Sequence, residues 1–148
     1  MGRDAQTFSP PCLYPPHAYR TPMIKIETES ERDVLDITQE VQREVEASGI
    51  KEGLALIHTL HTTTAIIVNE GEAGLRQDLM DQMDRLLPNG GYRHGENGPS
   101  HIQAALLGNS AVLPVERGRL LLGTWQQILF LELDGPRMRQ VGVRVISA

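Results

Sequence analysis

The chain has 148 residues, 40% hydrophobic and 22% charged, which suits one soluble globular domain with a sizeable core. Nineteen acidic against 14 basic residues leave a net charge of −5, so neither nucleic acid nor an anionic membrane is expected as a partner. Cys12 is the only cysteine, which excludes an intrachain disulfide and a cysteine-based zinc site and suits a reduced, cytoplasmic setting. No apolar run approaches the roughly 20 residues that span a bilayer, and the N-terminus lacks the apolar stretch of a signal peptide.

Residues 1–22 carry Pro10, Pro11, Pro15, Pro16 and Pro22 and show no periodicity. They read as an extended arm held against its own domain or a neighbouring subunit, ahead of a domain at 23–148. Met23 to Thr28 alternates as a strand, with Ile24 and Ile26 on one face. Thr38 to Ser48 is a helix with Ile37, Val41 and Val45 as its apolar stripe, Thr38 as N-cap and Gly49 as its stop. Leu54–Leu60 and 63–69 are strands that should pair with each other. The second, with Ala65, Ile66, Ile67 and Val68 in succession, should be buried on both faces.

Glu72 to Leu87 forms the longest helix, with Leu75, Leu79, Met83, Leu86 and Leu87 toward the core and Pro88 after its end. Asp78, Asp81 and Asp84 form an acidic stripe on it. The stripe reads as a solvated face, with Asp78 the member nearest the apolar side. Pro88–Pro99 is a long glycine-rich loop, and loops of that length inside a small domain are often functional. A short helix starts at Ser100, where Ser100 and Gln103 fit a capping box, and stops at Gly108. The remainder reads as strands at 111–115, 120–123, 128–133 and 138–146, with Pro114 marking an edge. The sum is an α+β domain with largely antiparallel sheets, two main helices and one short one.

Five histidines are present. His17 falls in the arm and His58 inside a strand, where a structural role is the default. His61 ends a strand, His94 sits in the glycine-rich loop and His101 lies in the first turn of a helix, where the dipole favours neutral imidazole. Three histidines with an open fourth position suit zinc or a similar divalent ion; the alternative is three separate, hydrogen-bonded surface histidines. Asn69 and Glu70 offer either a helix cap or an amide and carboxylate for a site. His61 and Asn69 stand about 26 Å apart along a straight strand. One site can use both only if the chain turns near Thr62 or a subunit contact joins them. Trp125 reads as a core or interface anchor flanked by Thr124 and Gln126. Arg93, Arg119, Arg137 and Arg139 are candidate anion clamps, Arg93 and Arg119 first among them. No P-loop, dinucleotide fingerprint, nucleophile elbow or Cys-His arrangement is present.

The segments HTTTAIIVNE (61–70), YRHGENGPSHI (92–102), LLGNS (106–110), LPVERGRLLLGTWQ (113–126) and DGPR (134–137) together resemble the YjbQ family, also labelled secondary thiamine-phosphate synthase. The resemblance covers about residues 23–147. It implies a compact α+β fold, a homotrimer, and sites near subunit contacts. It matches His61, Asn69, Glu70, Asp78, His94, His101, Thr124, Trp125 and Gln126 to the family's recurring positions, and leaves His58 out. It implies joining of a hydroxymethylpyrimidine pyrophosphate to a thiazole phosphate. In that reading His61, His94 and His101 hold a divalent ion, zinc rather than Mg²⁺ because the ligands are nitrogen. Glu70, Asp78 and Asn69 assist catalysis, and Arg93, Arg119, Thr124, Trp125 and Gln126 bind substrate. A zinc-dependent hydrolase of a small phosphorylated metabolite, or a non-catalytic trimer that binds an anion or metabolite, are the competing expectations.

Overall fold

The computed structural model describes residues 21–148. All but the last two residues of the Pro-rich arm, with Cys12 and His17, lie outside them. In chain order the first elements are β1 (Met23–Glu27), β2 (Asp33–Asp36), α1 (Thr38–Ser48), β3 (Gly53–Thr59), β4 (Thr64–Asn69) and α2 (Ala73–Leu86). They are followed by α3 (Gly98–Leu107), β5 (Ser110–Glu116), β6 (Arg119–Leu120), β7 (Gln127–Glu132) and β8 (Met138–Ser147). The strands form two sheets, ordered β1-β8-β3-β5-β6 and β2-β7-β4. Every pairing is antiparallel, and the domain is α+β.

The three-stranded sheet is a middle layer. Ile66, Ile128 and Phe130 face the five-stranded sheet and α1, in one core with Val41, Val45, Ile57 and Val143. Ala65, Leu129 and Leu131 face the opposite way, onto Met80 of α2 and Ala104 of α3. Alternation is therefore still present in β4 and β7, but both faces are apolar, which is why their sequences read as continuous hydrophobic runs. The outer face of the five-stranded sheet carries Leu54, Val112 and Ile146, 48%, 57% and 55% exposed.

Several local expectations change. β3 and β4 do not pair: β3 lies between β8 and β5, and β4 pairs with β7. Residues 60–63 are a corner at which the chain switches sheets, because only the middle layer can bury both faces of β4. The short strand β2 was not legible, since four residues with Asp at both ends carry little period. Ile37, not Thr38, is the N-cap residue of α1, and Asp36 Oδ1 accepts from Thr38 N instead (2.9 Å). Glu72 caps α2 from outside, accepting from Gly74 N (2.7 Å) and Leu75 N (2.8 Å). The short helix starts at Gly98, and Ser100 and Gln103 form no capping box. Ser100 Oγ donates to Leu133 O (2.7 Å), and the buried Gln103 bonds Arg32 and Met83 O. The strand of Pro114 is not an edge: β5 lies between β3 and the short edge strand β6, and the Pro114 carbonyl accepts from Leu121 N (2.9 Å) on the β6 side.

Among the described residues, one ion pair lies in the interior. Arg139 and Glu132 meet at 2.6 Å with side chains 5% and 0% exposed. Thr28 Oγ1 (2.9 Å) and Asp134 N (3.0 Å) donate to the same carboxylate, and Arg139 Nη2 also donates to Thr63 Oγ1 (3.0 Å). Burial pushes the Glu132 carboxyl up, but the hydrogen bonds from Arg139, Asp134 N and Thr28 outweigh it and hold it below its ordinary 4.5. The stability this group contributes is thus complete above 4.5 and is lost as the pH falls through the lower folded value. Arg139→Met alone should cost about 3–5 kcal/mol in urea unfolding, because it strands a buried carboxylate. Glu132→Gln should blunt the acid limb of a stability profile. An acid limb unchanged in that variant would refute the assignment.

Candidate functional site

The sheet-switching corner is held from both sides. Leu133 N donates to Thr63 O (3.1 Å), and the hydroxyls of Thr59 and Thr64 meet across it (2.6 Å). This fixes His61, whose Nε2 accepts from Gln140 N (2.8 Å). A neutral ring that accepts at Nε2 carries its proton on Nδ1. Burial, and then the nearby Arg139, lower the His61 pKa from 6.5.

Helix α3 brings the other two histidines to the same end of the molecule. Ser100 and Gln103 bind it to Leu133, Arg32 and α2 through the bonds described above. A Cβ at Gly98 would stand 2.6 Å from Tyr92 Cβ, so glycine there lets the loop fold back onto the helix start. His94 and His101 then meet edge to face, with ring centroids 4.4 Å apart. Burial, and then the neighbouring His94, lower the His101 pKa from 6.5 and favour the neutral ring.

A polar cleft runs between these groups. Its first lobe, about 490 Å³, is lined by His94, Asn97, Asp134, Arg137 and their neighbours. A second lobe of about 350 Å³ shares Asn97, Asp134 and Arg137 and reaches His61, His101 and Arg139. Four carboxylates (Glu31, Asp84, Glu96 and Asp134) face two guanidinium groups in the first lobe. Both of those arginines are already paired, Arg32 with Asp84 (2.8 Å) and Arg137 with Asp134 (3.0 Å). Arg93 and Arg119 are exposed and do not line either lobe. Arg137 and Arg139 do, through the chain reversal at DGPR. Asp84, read from sequence as part of a solvated stripe, is also here.

The histidines fit a metal only in part. His94 and His101 are adjacent and present imidazoles in a carboxylate-bearing cleft. The Nε2 lone pair of His61 is engaged and its Nδ1 is protonated, so neither nitrogen is a donor in this geometry. Among the described residues, no three His, Cys, Asp or Glu side chains are arranged to hold an ion.

The remaining expected site residues lie at the opposite end of the middle sheet. Thr64 and Glu132 are partners at one end of the β4–β7 ladder, Asn69 and Gln127 at the other. Five strand steps separate them, about 17 Å. Asn69, Glu70 and Asp78 gather there around a smaller pocket. Asn69 is not a helix cap; its Oδ1 accepts from Glu70 N (2.8 Å). Thr124, Trp125 and Gln126 form an exposed turn just before β7, closed by Gln126 Oε1 accepting from Gly123 N (2.8 Å). Trp125 is 72% exposed, so it is no core residue. The chain does turn near Thr62, yet the two tips of β4 serve different cavities. His58 stands over Gly142 on the outer face of the five-stranded sheet, away from all of these.

A two-sheet α+β domain with α2 and α3 over one face of the middle sheet and a histidine-bearing cleft at the sheet corner defines the class. The family profile described as "UPF0047 protein YjbQ-like" matches residues 22–148, and the chain belongs to that family. A UPF0047 protein of Archaeoglobus fulgidus is 49% identical over 127 residues, covering 83% of this chain and 98% of that one. YugU of Bacillus subtilis is 37% identical over 128 residues, covering 84% and 97%. Among solved structures, a YbjQ-like protein of unknown function from Sulfolobus solfataricus superposes with a TM-score of 0.83 at 38% identity, covering 86% of this chain and 96% of that one. A hypothetical protein from Aeropyrum pernix does so with a TM-score of 0.83 at 37% identity, covering 88% and 100%. No helix among the described residues is long and apolar enough to cross a membrane.

The His61 geometry has a direct spectroscopic signature. Nitrogen-detected NMR should find the Nδ1–H tautomer at pH 7.5 and a titration midpoint below 6.5. Below 6.5 the unfolded chain takes up this proton first, so His61 makes the fold less stable on acidification. An Nε2–H tautomer, or a midpoint at or above 6.5, would contradict the Gln140 bond.

Proposed function

We propose that this chain acts on a small phosphorylated metabolite in the His61–His94–His101 cleft, in a reaction of the thiamine-phosphate synthase type. A hydroxymethylpyrimidine pyrophosphate and a thiazole phosphate would be joined as pyrophosphate leaves. The observation that carries the reading is the contact of the His94 and His101 rings at a cleft that also holds the Asn97 amide and the Arg137 guanidinium. Asn97 Nδ2 (3.1 Å) and Arg137 Nη2 (3.0 Å) both donate to Asp134 Oδ2, and a phosphate oxygen would take the place of that carboxylate. A lowered His101 pKa favours the neutral imidazole that accepts a proton.

The carboxylate excess of the first lobe disfavours a bare phosphate, so an anionic ligand needs a cation in its company. We propose that His94 and His101 hold one divalent ion, zinc in preference to magnesium because the ligands are nitrogen. Such an ion would neutralise charge on the leaving group. His61 positions the corner rather than joining this set. The lone Cys12 is consistent with a reducing, cytoplasmic setting.

A homotrimer is proposed as the assembly, with the outer face of the five-stranded sheet as its contact. Leu54 lies opposite Pro114 and Ile146, and Leu56 opposite Val112 and Arg144, which makes an apolar patch bordered by one arginine. Light scattering should give three times the chain mass, and Val112→Glu with Ile146→Glu should give the single-chain mass. A monomeric parent protein would end this part of the proposal.

Activity decides the rest. With both substrates, the parent protein should form thiamine phosphate, and His101→Ala should lower the rate about 10²–10⁴-fold. Elemental analysis should give stoichiometric zinc that is lost in His94→Ala/His101→Ala. Phosphate release without joining would favour the hydrolase, and saturable binding without turnover the non-catalytic trimer. Turnover that survives both histidine substitutions would rule out the cleft.

A further inference from the structure

The pocket between α2 and the middle sheet takes no part in the cleft. It holds about 230 Å³, with Ile67, Leu75, Leu79 and Leu129 as its floor and Asn69, Glu70 and Asp78 at its rim. That is below the roughly 300–1,000 Å³ usual for drug-sized ligands and suits a single ring with a short arm.

Its charge is specific. Most nearby acids are spent within the fold: Glu72 caps α2, Asp81 accepts from Gln77 Nε2 (2.8 Å) and Asp84 pairs with Arg32. Glu70 and Asp78 have no side-chain hydrogen bond or ion pair among the described residues. The cation in the wall, Arg76, is directed at backbone, its Nε to Gly71 O (2.7 Å) and its Nη1 to Val34 O (2.9 Å). An apolar floor demands an apolar body. Two uncommitted carboxylates at the mouth demand hydrogen-bond donors or positive charge, and they repel anions.

We propose that this pocket binds a small apolar ring bearing a protonated amine, with the ring on Leu79 and Leu129 and the amine between Glu70 and Asp78. The site is independent of the histidine cleft and of the activity proposed for it. The probes are benzylamine, benzyl alcohol and benzoate, equal in size and different in charge, titrated into the isotope-labelled full chain. Benzylamine should saturably shift the amide signals of residues 67–70 and 75–82, at least tenfold tighter than benzyl alcohol, and benzoate should shift none. Glu70→Gln with Asp78→Asn, both exposed or half-exposed and near isosteric, should weaken benzylamine at least tenfold and leave benzyl alcohol unchanged. His101→Ala should leave benzylamine affinity intact. Equal binding of the three probes, or benzylamine affinity unchanged in the double variant, would overturn the proposal. If the double variant is unfolded by its amide spectrum, Asp78→Asn alone carries the same comparison.

Discussion

The Arg139–Glu132 pair is the interaction on which the site end of the molecule depends. Two charges are removed from water there, and such burial is tolerated only where nearly every donor and acceptor is matched. Thr28, Thr63, the Asp134 backbone and the bidentate guanidinium meet that requirement. Each partner belongs to a different segment: the link from β1 to β2, the corner before β4, the turn after β7, and β8. The pair therefore ties together three stretches far apart in sequence, at Thr28, at Thr63 and across residues 132–139. His61, Asp134 and Arg137 sit directly on those stretches, so the geometry of the cleft follows from the electrostatics beneath it. The hydroxyls of Thr63 and Thr64 serve this network and the corner, while the exposed Thr62 lines the second lobe.

Much of the fold was legible because burial leaves a period. The stripe Ile37, Val41 and Val45, and the alternation in β8, point to the elements they form. What could not be read was which strands share a sheet. Leu54–Leu60 and 63–69 look like a hairpin because only a few polar residues part them. Yet β4 has apolar side chains on both faces, and a hairpin partner in an outer sheet would leave one face wet. The need for two covered faces moves β4 into the middle layer, and only the assembled layers reveal that need. Ser100 and Gln103 show a related failure. The residue types of a capping box are also those of buried hydrogen-bond anchors, and the difference lies in partners more than 15 residues away.

The candidate site was legible in its residue types and not in its grouping. Asn97, Asp134 and Arg137 join the histidines by chain reversals that carry no spacing signal. Asp84 joins them from α2, in a stripe that looks merely solvated. Arg93, adjacent to His94 in sequence, points elsewhere, since neighbours in an irregular loop need not share a direction.

A sheet covered on both faces constrains where chemistry can occur. Every interior side chain of β4 and β7 is committed to one core or the other, so polar groups reach solvent only at the strand tips. Both tips are used. At the Thr64–Glu132 end, buried charge and clustered imidazoles shape a polar cleft; at the Asn69–Gln127 end, uncommitted carboxylates rim an apolar pocket. The two environments are opposite in kind, one suited to a charged group held by directional bonds and the other to an apolar ring held by area. About 17 Å of rigid sheet separates them, too far for one small molecule to touch both within a subunit. A ligand with both kinds of group can therefore be shared only across a subunit boundary; otherwise the two cavities serve two separate molecules.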